Sequence, residues 1–555
     1  MAPAWAAERL PLQRSGTDRV ARNSAAADWF VEAGDVNRAM HHLVASGRNR
    51  DAGEFLTRHE SDLFSAGQAD QMLHWYDQIA ATADDRIMHL LRVGWGQALS
   101  RDIRGADATL ARLSSALTEH RATVDAESGL ADPPTMHASS WMAEEALFRA
   151  YLAGIHADPT TMVTAGRRAQ DMLVDTGTRD ARQLAPILVM RGLLWSGQTQ
   201  AASRLLQSTI EMPFPNDIIR ESHLAGVRAL IEYEHGEVNR AAVHAAAALR
   251  WLDRAGLDPF EVSQFSPLLA SASVSLDRGE PLAALDRATQ TGRAAEAIGH
   301  HGDAAWASLI IARVHMVQGD YGAALRSLSH ARNLTVSETP DSAMTVPLDQ
   351  TQALVHLAAG DAVRAERLIR RLPPGDVRSL LWARSGLTRQ PALARRTLEG
   401  IQTTTPRVEA ERHLLLACVY LKTSRRMAQG HLRKAAKIAH ANGLGQLLSP
   451  PEPGIVELAH DTGLEFQDDD LLWLTKARRA PDSGVPTSDA SLSRGEMQLL
   501  SLLPTRAKNA EIADSLGISI NTVKTRLRRL YFKLGAANRD EAIEIARTRG
   551  LLHRS

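Results

Sequence analysis

The sequence predicts an all-α fold, and three observations support this expectation. Aromatic residues make up only 5% of the 555 residues, whereas the helix-favouring residues Leu, Ala, Arg and Glu are abundant. In the central region, a glycine followed by a polar or acidic residue recurs about every 40 residues, as in stacked helical hairpins. In residues 491–555, apolar residues follow a helical period that Pro and Gly interrupt. We therefore expect a long helical array followed by a small helical domain.

The first region, residues 1–22, is predicted to be a partly disordered tail. Met1 to Gly16 contain Arg, Glu and Pro where a signal peptide needs an apolar core, and no apolar stretch reaches about 18 residues. We therefore expect a cytoplasmic protein that does not enter membranes. Cys418 is the only cysteine, so no intramolecular disulfide can form, and its apolar neighbours predict a buried thiol.

Residues 23–449 are predicted to form the helical array. An alanine follows each repeated glycine after five residues, and Gly34-Asp35 with Ala39 shows the same arrangement near the N-terminus. Glycine can adopt the left-handed conformation that ends one helix, the polar residue can cap the next, and alanine permits close helix packing. The repeated pairs are Gly197-Gln198, Gly236-Glu237, Gly279-Glu280, Gly319-Asp320 and Gly360-Asp361, with Ala202, Ala241, Ala284, Ala324 and Ala365.

Stacked hairpins of this kind build a superhelix with a concave surface. The period lies between the tetratricopeptide (TPR) value and the armadillo or HEAT values, so we interpret the region as a TPR-like helical-repeat superhelix. An irregular helical bundle, with glycines between helices by chance, is the alternative. The repeated pattern fades between residues 100 and 190, although the composition there still favours helix.

The array is predicted to end at Pro450-Pro451, followed by a short helical extension over 450–479 and a linker over 480–491 that is rich in Pro, Ser, Gly and Asp. Residues 491–555 then hold twelve Lys and Arg against six Asp and Glu, while the full chain is neutral. A small basic domain at the end of an acidic body indicates a nucleic-acid partner, because Lys and Arg neutralise phosphates.

Residues 492–555 are predicted to form a four-helix domain of the helix-turn-helix type. Only Gly517 and Ile518 separate the second and third helices, and the Ser519 hydroxyl is placed to cap the third. Val523, Leu527, Leu530 and Leu534 form one apolar stripe on the third helix and are expected to face Ile512, Ala513 and Leu516 of the second. The four predicted helices are Ser493–Leu503, Asn509–Leu516, Ser519–Leu534 and Asn538–Arg549.

The opposite surface of the third helix is polar and basic. A helix that is apolar on one side and basic on the other fits the major groove of double-stranded DNA, where Lys and Arg pair with guanine acceptors or phosphates. The predicted DNA-contacting residues are Asn521, Thr522, Lys524, Thr525, Arg526, Arg528, Arg529 and Lys533. A basic helical bundle that binds a protein, or nothing, is the alternative.

Several spaced motifs in this domain resemble the LuxR-type DNA-binding domain. They are Asn509-Ala-Glu511-Ile512-Ala513, Thr522-Val523-Lys524, Lys533-Leu534-Gly535 and Arg539-x-x-Ala542. The resemblance implies base contacts by Lys524, Thr525 and Arg528, while Arg526 stands where the family usually has histidine. Region four of sigma factors is similar in fold, but the Lys-Leu-Gly ending and the fourth helix favour the LuxR type.

The segment from Ala25 to Ser46 resembles the start of the helical region in the large MalT-like LuxR regulators. In those proteins an ATPase domain precedes this point. The chain begins too late to contain one and has no Gly-Lys-Ser/Thr phosphate loop, so we expect no ATP switching and no cofactor.

The sequence therefore predicts a DNA-binding transcriptional regulator, with the array as the region that receives a signal. Expected partners are operator DNA, a second copy of the chain through the fourth helix or the array, RNA polymerase, and a small-molecule or protein signal. Two alternatives stay open: a protein-interaction scaffold tethered to DNA, and the C-terminal fragment of a STAND ATPase switch.

No enzyme and no metal site are predicted. His41-His42 and His300-His301 are adjacent pairs without a third ligand at the next helical turn, and we interpret them as solvated helix-face histidines. Asp468-Asp469-Asp470 lacks the alternating ligands and the glycine of a calcium loop, which favours an acidic helix start. No Gly-x-Ser-x-Gly or His-Glu-x-x-His pattern occurs.

Overall fold

A computed structural model describes most of the chain up to residue 459 and part of the C-terminal region. The chain separates into two compact units, Met1–Ala480 and Pro481–Ser555. All regular secondary structure in the described residues is helical. The described residues are 16–65, 67–128, 136–176, 179–209, 218–335, 344–402, 405–446, 454–455, 458–459, 499–505, 507, 511–512, 523, 527, 539–548 and 551.

The described part of the first unit consists mainly of eleven helical hairpins, in which a first and a second helix pack against each other. The first helix, α1, begins at Gly16, inside the segment 1–22 that was predicted to be a tail. The hairpins are α1 (Gly16–Glu32) with α2 (Val36–Ala45), α3 (Asn49–Ser65) with α4 (Ala69–Ile79), α5 (Ala83–Leu99) with α6 (Ile103–Ser128), α7 (Met136–Ile155) with α8 (Pro159–Thr176), α9 (Arg179–Trp195) with α10 (Thr199–Thr209), α11 (Ile218–His235) with α12 (Val238–Arg254), α13 (Phe265–Asp277) with α14 (Pro281–Ala297), α15 (His301–Val317) with α16 (Tyr321–Leu334), α17 (Thr345–Ala358) with α18 (Ala362–Arg371), α19 (Asp376–Gly386) with α20 (Pro391–Glu399), and α21 (Pro406–Tyr420) with α22 (Arg425–Asn442).

The five repeated glycines lie where the sequence predicts them, at the end of a first helix and in the left-handed conformation, with φ between 72° and 93°. At Gly319, for example, the glycine N–H donates to the Met316 carbonyl at 3.1 Å, and the next N–H donates to His315 at 2.9 Å. This pair of bonds is a Schellman motif, which satisfies carbonyls that the helix end leaves free. The regular hairpin turns exclude the irregular-bundle alternative.

Asp320 and Asp361 cap the following helices, because their carboxylates accept hydrogen bonds from the backbone N–H groups of Ala323 and Arg364. Glu237 and Glu280 occupy the same position without a side-chain cap. The shorter Asp side chain reaches the free N–H groups of the first turn, in line with the preference for Asp as a cap.

The alanines five residues after the repeated glycines are completely buried: Ala202, Ala241, Ala284, Ala324 and Ala365. At these positions a larger side chain would have to displace neighbours in a close-packed interior. The structure therefore confirms that these alanines are buried, and tight helix packing at them stays a prediction.

The repeat also continues through residues 100–190, where the sequence pattern fades. Arg101 and Ala157 occupy the glycine position, with φ of 71° and 60°, and the residues after them donate to carbonyls five positions back. Ala106 and Met162 follow after five residues and are fully buried. The same left-handed hairpin turn therefore forms where the sequence has no glycine at that position.

Hairpins that are distant in sequence also meet inside the first unit. Arg407 on α21 donates to the Tyr233 carbonyl on α11 at 2.7 Å, and the Arg313 guanidinium on α15 donates to Glu234 at 2.8 Å. The N–H groups of Gly445 and Gln446 donate to the Asp277 carboxylate at 3.1 and 3.0 Å. Hydrogen bonds of charged side chains therefore join hairpins that are distant in sequence.

Arg191 on α9 forms an ion pair with Asp303 on α15, and both side chains are largely buried. Burial raises the pKa of the Asp303 carboxyl, but Arg191 and His300 offset this effect, and the net pKa lies below the usual value. The Arg191 guanidinium also stacks over the Trp195 ring, 4.4 Å from its centroid. The pair links the fifth and eighth hairpins.

The histidine pairs are only partly solvated, in contrast to the expectation. His41 is exposed, and the half-buried His42 bonds to Asn23 at 3.0 Å. His300 is only 7% exposed, because it precedes α15 and its ring lies 3.6 Å from the Asp303 carboxylate inside the unit. The sequence prediction for His300 was therefore wrong.

Cys418 is half-buried rather than fully buried, since it lies at the edge of the main apolar core. From the segment 450–479, Ile455, Leu458 and Ala459 are buried in that same core. The predicted linker 480–491 and Asp468 to Asp470 lie outside the described residues. None of the described helices is both long enough and apolar enough to cross a membrane.

We predict that Ala324→Leu lowers the free energy of unfolding by about 1–3 kcal/mol, because the added carbons overpack a closed helix crossing. Thermal or urea unfolding of the full chain, followed by circular dichroism, measures the change. Ala108→Leu is the matched control, since Ala108 is exposed in the second turn of α6. Equal stability of Ala324→Leu and wild type would contradict tight packing at Ala324.

We also predict that Ala157→Gly stabilises the first unit by about 1 kcal/mol, because an L-residue pays roughly that amount in the left-handed region. The same change at Ala108, inside a regular helix, should destabilise by about 1 kcal/mol. Opposite signs in paired unfolding curves are the expected result. A loss of stability at both positions would contradict a net gain from the left-handed backbone at position 157, where the lost burial of the Ala157 methyl acts in the opposite direction.

Candidate nucleic-acid interface

The described residues of the second unit form one small apolar core. Its buried members come from each of the four predicted helical segments: Leu499, Leu500, Leu503, Ile512, Val523, Leu527, Ala542 and Ala546. Leu502, Ala507, Ile543, Ile545 and Leu551 pack around them. This cluster is separate from the cores of the first unit, as expected for a domain with its own interior.

The third helix contributes Val523 and Leu527 to this core, and both are helical and buried. The spacing i and i+4 places both side chains on one face of a helix. The prediction that they form the buried stripe, together with Ile512 of the second helix, is confirmed. Leu530, Leu534, Ala513 and Leu516 lie outside the described residues.

The end of the first helix and the span of the fourth helix also agree with the sequence prediction. Residues 499–502 are helical and continue into a 3₁₀ turn at Leu503–Thr505, which contains the predicted breaker Pro504. The last described helix, α23 (Arg539–Thr548), lies within the predicted fourth helix. The 3₁₀ turn Leu503–Thr505 and helix α23 contact each other.

Arg539 connects these two elements. Its guanidinium donates to the Leu503 carbonyl, at 3.0 Å from Nε and 2.8 Å from Nη2, and to the Ala507 carbonyl at 2.8 Å from Nη1. The planar guanidinium can serve several carbonyls at once, which a lysine ammonium cannot do in the same geometry. Arg539 therefore ties the turn after the first helix to the start of the fourth.

Sequence reasoning noted Arg539 only as part of a family motif and missed this role. One signal was present: a cation in the first turn of a helix opposes the helix dipole, so a specific partner is needed to explain its position. The partners are backbone carbonyls, which no sequence pattern identifies.

The predicted DNA-contacting residues fall outside the described part of the chain. They are Asn521, Thr522, Lys524, Thr525, Arg526, Arg528, Arg529 and Lys533, and the predicted cap Ser519 falls outside it as well. In the described residues, no group of three or more His, Cys, Asp or Glu is placed to hold a metal ion.

Comparison with known families identifies the C-terminal domain. Residues 490–546 match the family of bacterial regulatory proteins known as the luxR family, or GerE. These residues are therefore a LuxR-family helix-turn-helix domain, as the sequence motifs predicted.

Two relatives align with this chain over segments of about the length of this domain. The HTH-type transcriptional regulator MalT of Yersinia pestis (strain Pestoides F) is 33% identical over 82 residues, which are 15% of this chain and 9% of MalT. The transcriptional regulatory protein YdfI of Bacillus subtilis (strain 168) is 40% identical over 65 residues, which are 12% of this chain and 30% of YdfI. The chain thus spans less than a third of the length of either relative.

Two solved structures resemble the chain weakly. The Cut9–Hcn1 hetero-tetramer of the APC/C has a TM-score of 0.37 at 14% identity, covering 79% of this chain and 74% of that chain. The human IFIT1 dimer with PPP-AAAA has a TM-score of 0.32 at 14% identity, covering 78% of this chain and 96% of that chain. Both TM-scores are too low to support a conclusion about the fold.

We predict that Arg539→Lys and Arg539→Ala both destabilise the C-terminal domain by about 1–3 kcal/mol, since buried carbonyls lose charged hydrogen-bond donors. Unfolding of a fragment of residues 491–555, which we expect to fold alone on its own core, measures the loss. Arg547→Ala is the control, because Arg547 is exposed on the same helix. Equal stability of all three variants would contradict the bridging role of Arg539.

Proposed function

We propose that this protein is a DNA-binding transcriptional regulator whose LuxR-family domain binds operator DNA through the third helix. The observation that carries the proposal is the burial of Val523 and Leu527 in a domain of this family. Because these two residues anchor one side of the helix in the core, the opposite side is left for DNA. By helical spacing, that opposite side would carry the basic residues of the third helix.

The helical period supports the choice of residues. At about 100° per residue, Thr525 would lie roughly 180° from the midpoint between Val523 and Leu527. Lys524 and Arg528 would flank it on one side, and Arg526 and Arg529 on the other. We propose base contacts for Lys524, Thr525 and Arg528, in line with the family resemblance.

The other basic residues suit a different role. Arg526, Arg529 and Lys533 would extend from the flank of the helix toward the phosphate backbone, which fixes the position of the helix without reading bases. Asn521 and Thr522, in the first turn, would lie at the end of the helix that enters the groove. The Ser519 hydroxyl would cap that turn.

We further propose that the helical array controls the domain, and that the protein acts in the cytoplasm as a homodimer through α23 or the array. A signal molecule or protein would bind a surface of the array. Contact with RNA polymerase would follow operator binding.

We predict that Lys524→Ala and Arg528→Ala each weaken operator binding by about 1–3 kcal/mol, roughly 5- to 150-fold, because a base contact is lost. Genome-wide footprinting first identifies the operator, and titration of operator and scrambled duplexes at fixed salt then measures affinity. The loss should be confined to the operator and concentrated at particular base pairs.

Arg547→Ala is the matched control, since it removes one exposed charge of the same domain from outside the third helix. Operator affinity that stays at the wild-type value in both third-helix variants would refute the assignment. A scaffold tethered to DNA differs in its prediction: a partner protein would co-purify with the array and stay bound without the domain.

A further inference from the structure

The end of the helical array is strongly basic, in contrast to the rest of the body. Residues 362–446 hold 17 Lys and Arg against 5 Asp and Glu. The other residues before 491 hold 35 Lys and Arg against 53 Asp and Glu. The charge asymmetry of the chain therefore does not begin at the C-terminal domain but already in the last three hairpins of the array.

Most of these charges lie on the second helices of the last three hairpins, α18, α20 and α22. We call their exposed Lys and Arg side chains the basic outer surface. Helix α22 carries five of them and contains no acidic residue. The members are Arg364, Arg367, Arg370, Arg371, Arg395, Arg396, Arg425, Arg426, Arg433, Lys434 and Lys437.

Several of these cations have no carboxylate partner. Ion pairs tie Arg364 to Asp361, Arg371 to Asp349 and Arg395 to Glu399. Among the described residues, no ion pair involves Arg367, Arg396, Arg426, Arg433, Lys434 or Lys437. Exposed arginines elsewhere in the array include paired ones, such as Arg50 with Glu54 on α3.

The unpaired cations on α22 also repel one another. Arg433 and Lys437 lie four residues apart and Lys434 and Lys437 three apart, so both pairs are neighbours on the helix surface. Like charges at this spacing destabilise a helix by a few tenths of a kcal/mol per pair. A bound polyanion would turn this repulsion into attraction.

The surface fits the phosphate backbone of a nucleic acid. Its exposed groups are hydrogen-bond donors with fixed positive charge, and Arg426 to Lys437 spans about 16 Å along the helix. Duplex DNA carries one charge per about 1.7 Å of its axis, so a basic helix laid along it meets several phosphates.

We propose that the basic outer surface contacts the phosphate backbone of duplex DNA that flanks the operator. The inference rests on the proposed function, because the C-terminal domain would bring the duplex to the array. One chain carries both, and tethering raises the effective concentration of the DNA at the second surface. The proposal gives the array a direct role in DNA binding in addition to control.

The test compares two sets of substitutions in the full chain. The surface variant carries Arg426→Gln, Arg433→Gln, Lys434→Gln and Lys437→Gln. The matched control carries Arg250→Gln, Arg254→Gln, Arg293→Gln and Arg326→Gln on the second helices α12, α14 and α16. These four side chains are exposed and form no ion pair within the part of the chain that the structure describes. Circular dichroism and thermal melting establish that both variants are folded.

Affinity is measured against salt concentration on two duplexes, one limited to the operator and one with flanks of several helical turns. We expect wild type and the control to bind the long duplex more tightly than the short one. The surface variant should lose this advantage, and its salt slope on the long duplex should fall by about 0.9 for each lost phosphate contact. Its affinity for the short duplex should stay unchanged.

The other outcomes separate the two proposals. If the surface variant binds the long duplex like wild type while Lys524→Ala still loses the operator, the surface proposal is wrong and the proposed function stands. If wild type binds neither duplex, both proposals fail. If DNA binding is unchanged but self-association measured by sedimentation is lost, the surface contacts the acidic part of a second copy instead, and the DNA assignment is overturned.

Discussion

The left-handed turn residue at the end of the first helix is the constraint on which the array depends. It occurs in the first nine hairpins, seven times as glycine and otherwise as Arg101 and Ala157. Its conformation reverses the chain within two residues, so that the second helix begins at once and packs against the first. The residue five positions later is fully buried at all nine turns, as alanine or methionine. One backbone conformation therefore sets both the chain reversal and the helix contact.

The repeated turn does not determine how hairpins that are distant in sequence meet. Hydrogen bonds between hairpins four or more apart, such as that of Arg407 to the Tyr233 carbonyl, join residues more than 150 positions apart. A buried charge is tolerated only when it is paired and hydrogen-bonded, so these contacts specify one winding of the superhelix over others.

The boundary between the acidic and basic parts of the sequence differs from the boundary between the two compact units. The compact units separate at residue 480, but the basic part of the sequence begins near residue 362, within the array. A helical array needs apolar faces where its helices pack and leaves the solvent-exposed faces free, so the fold does not require Lys and Arg on α18, α20 and α22. Their concentration there, next to the segment that leads to the LuxR-family domain, connects the outer surface to the function of that domain.

Four features are predictable from the amino-acid sequence alone: the all-α class, the hairpin period, the buried alanines and the LuxR-family domain. Each depends on local residue spacing, which follows directly from helix geometry. The sequence also predicted the buried Val523 and Leu527. Three features emerge only in the folded chain: the left-handed turns at Arg101 and Ala157, the burial of His300, and the bonds of Arg539 to the Leu503 and Ala507 carbonyls. In these cases the partners are distant in sequence or are backbone atoms, and no residue pattern encodes them. Packing supplied the free energy that overrode local preference.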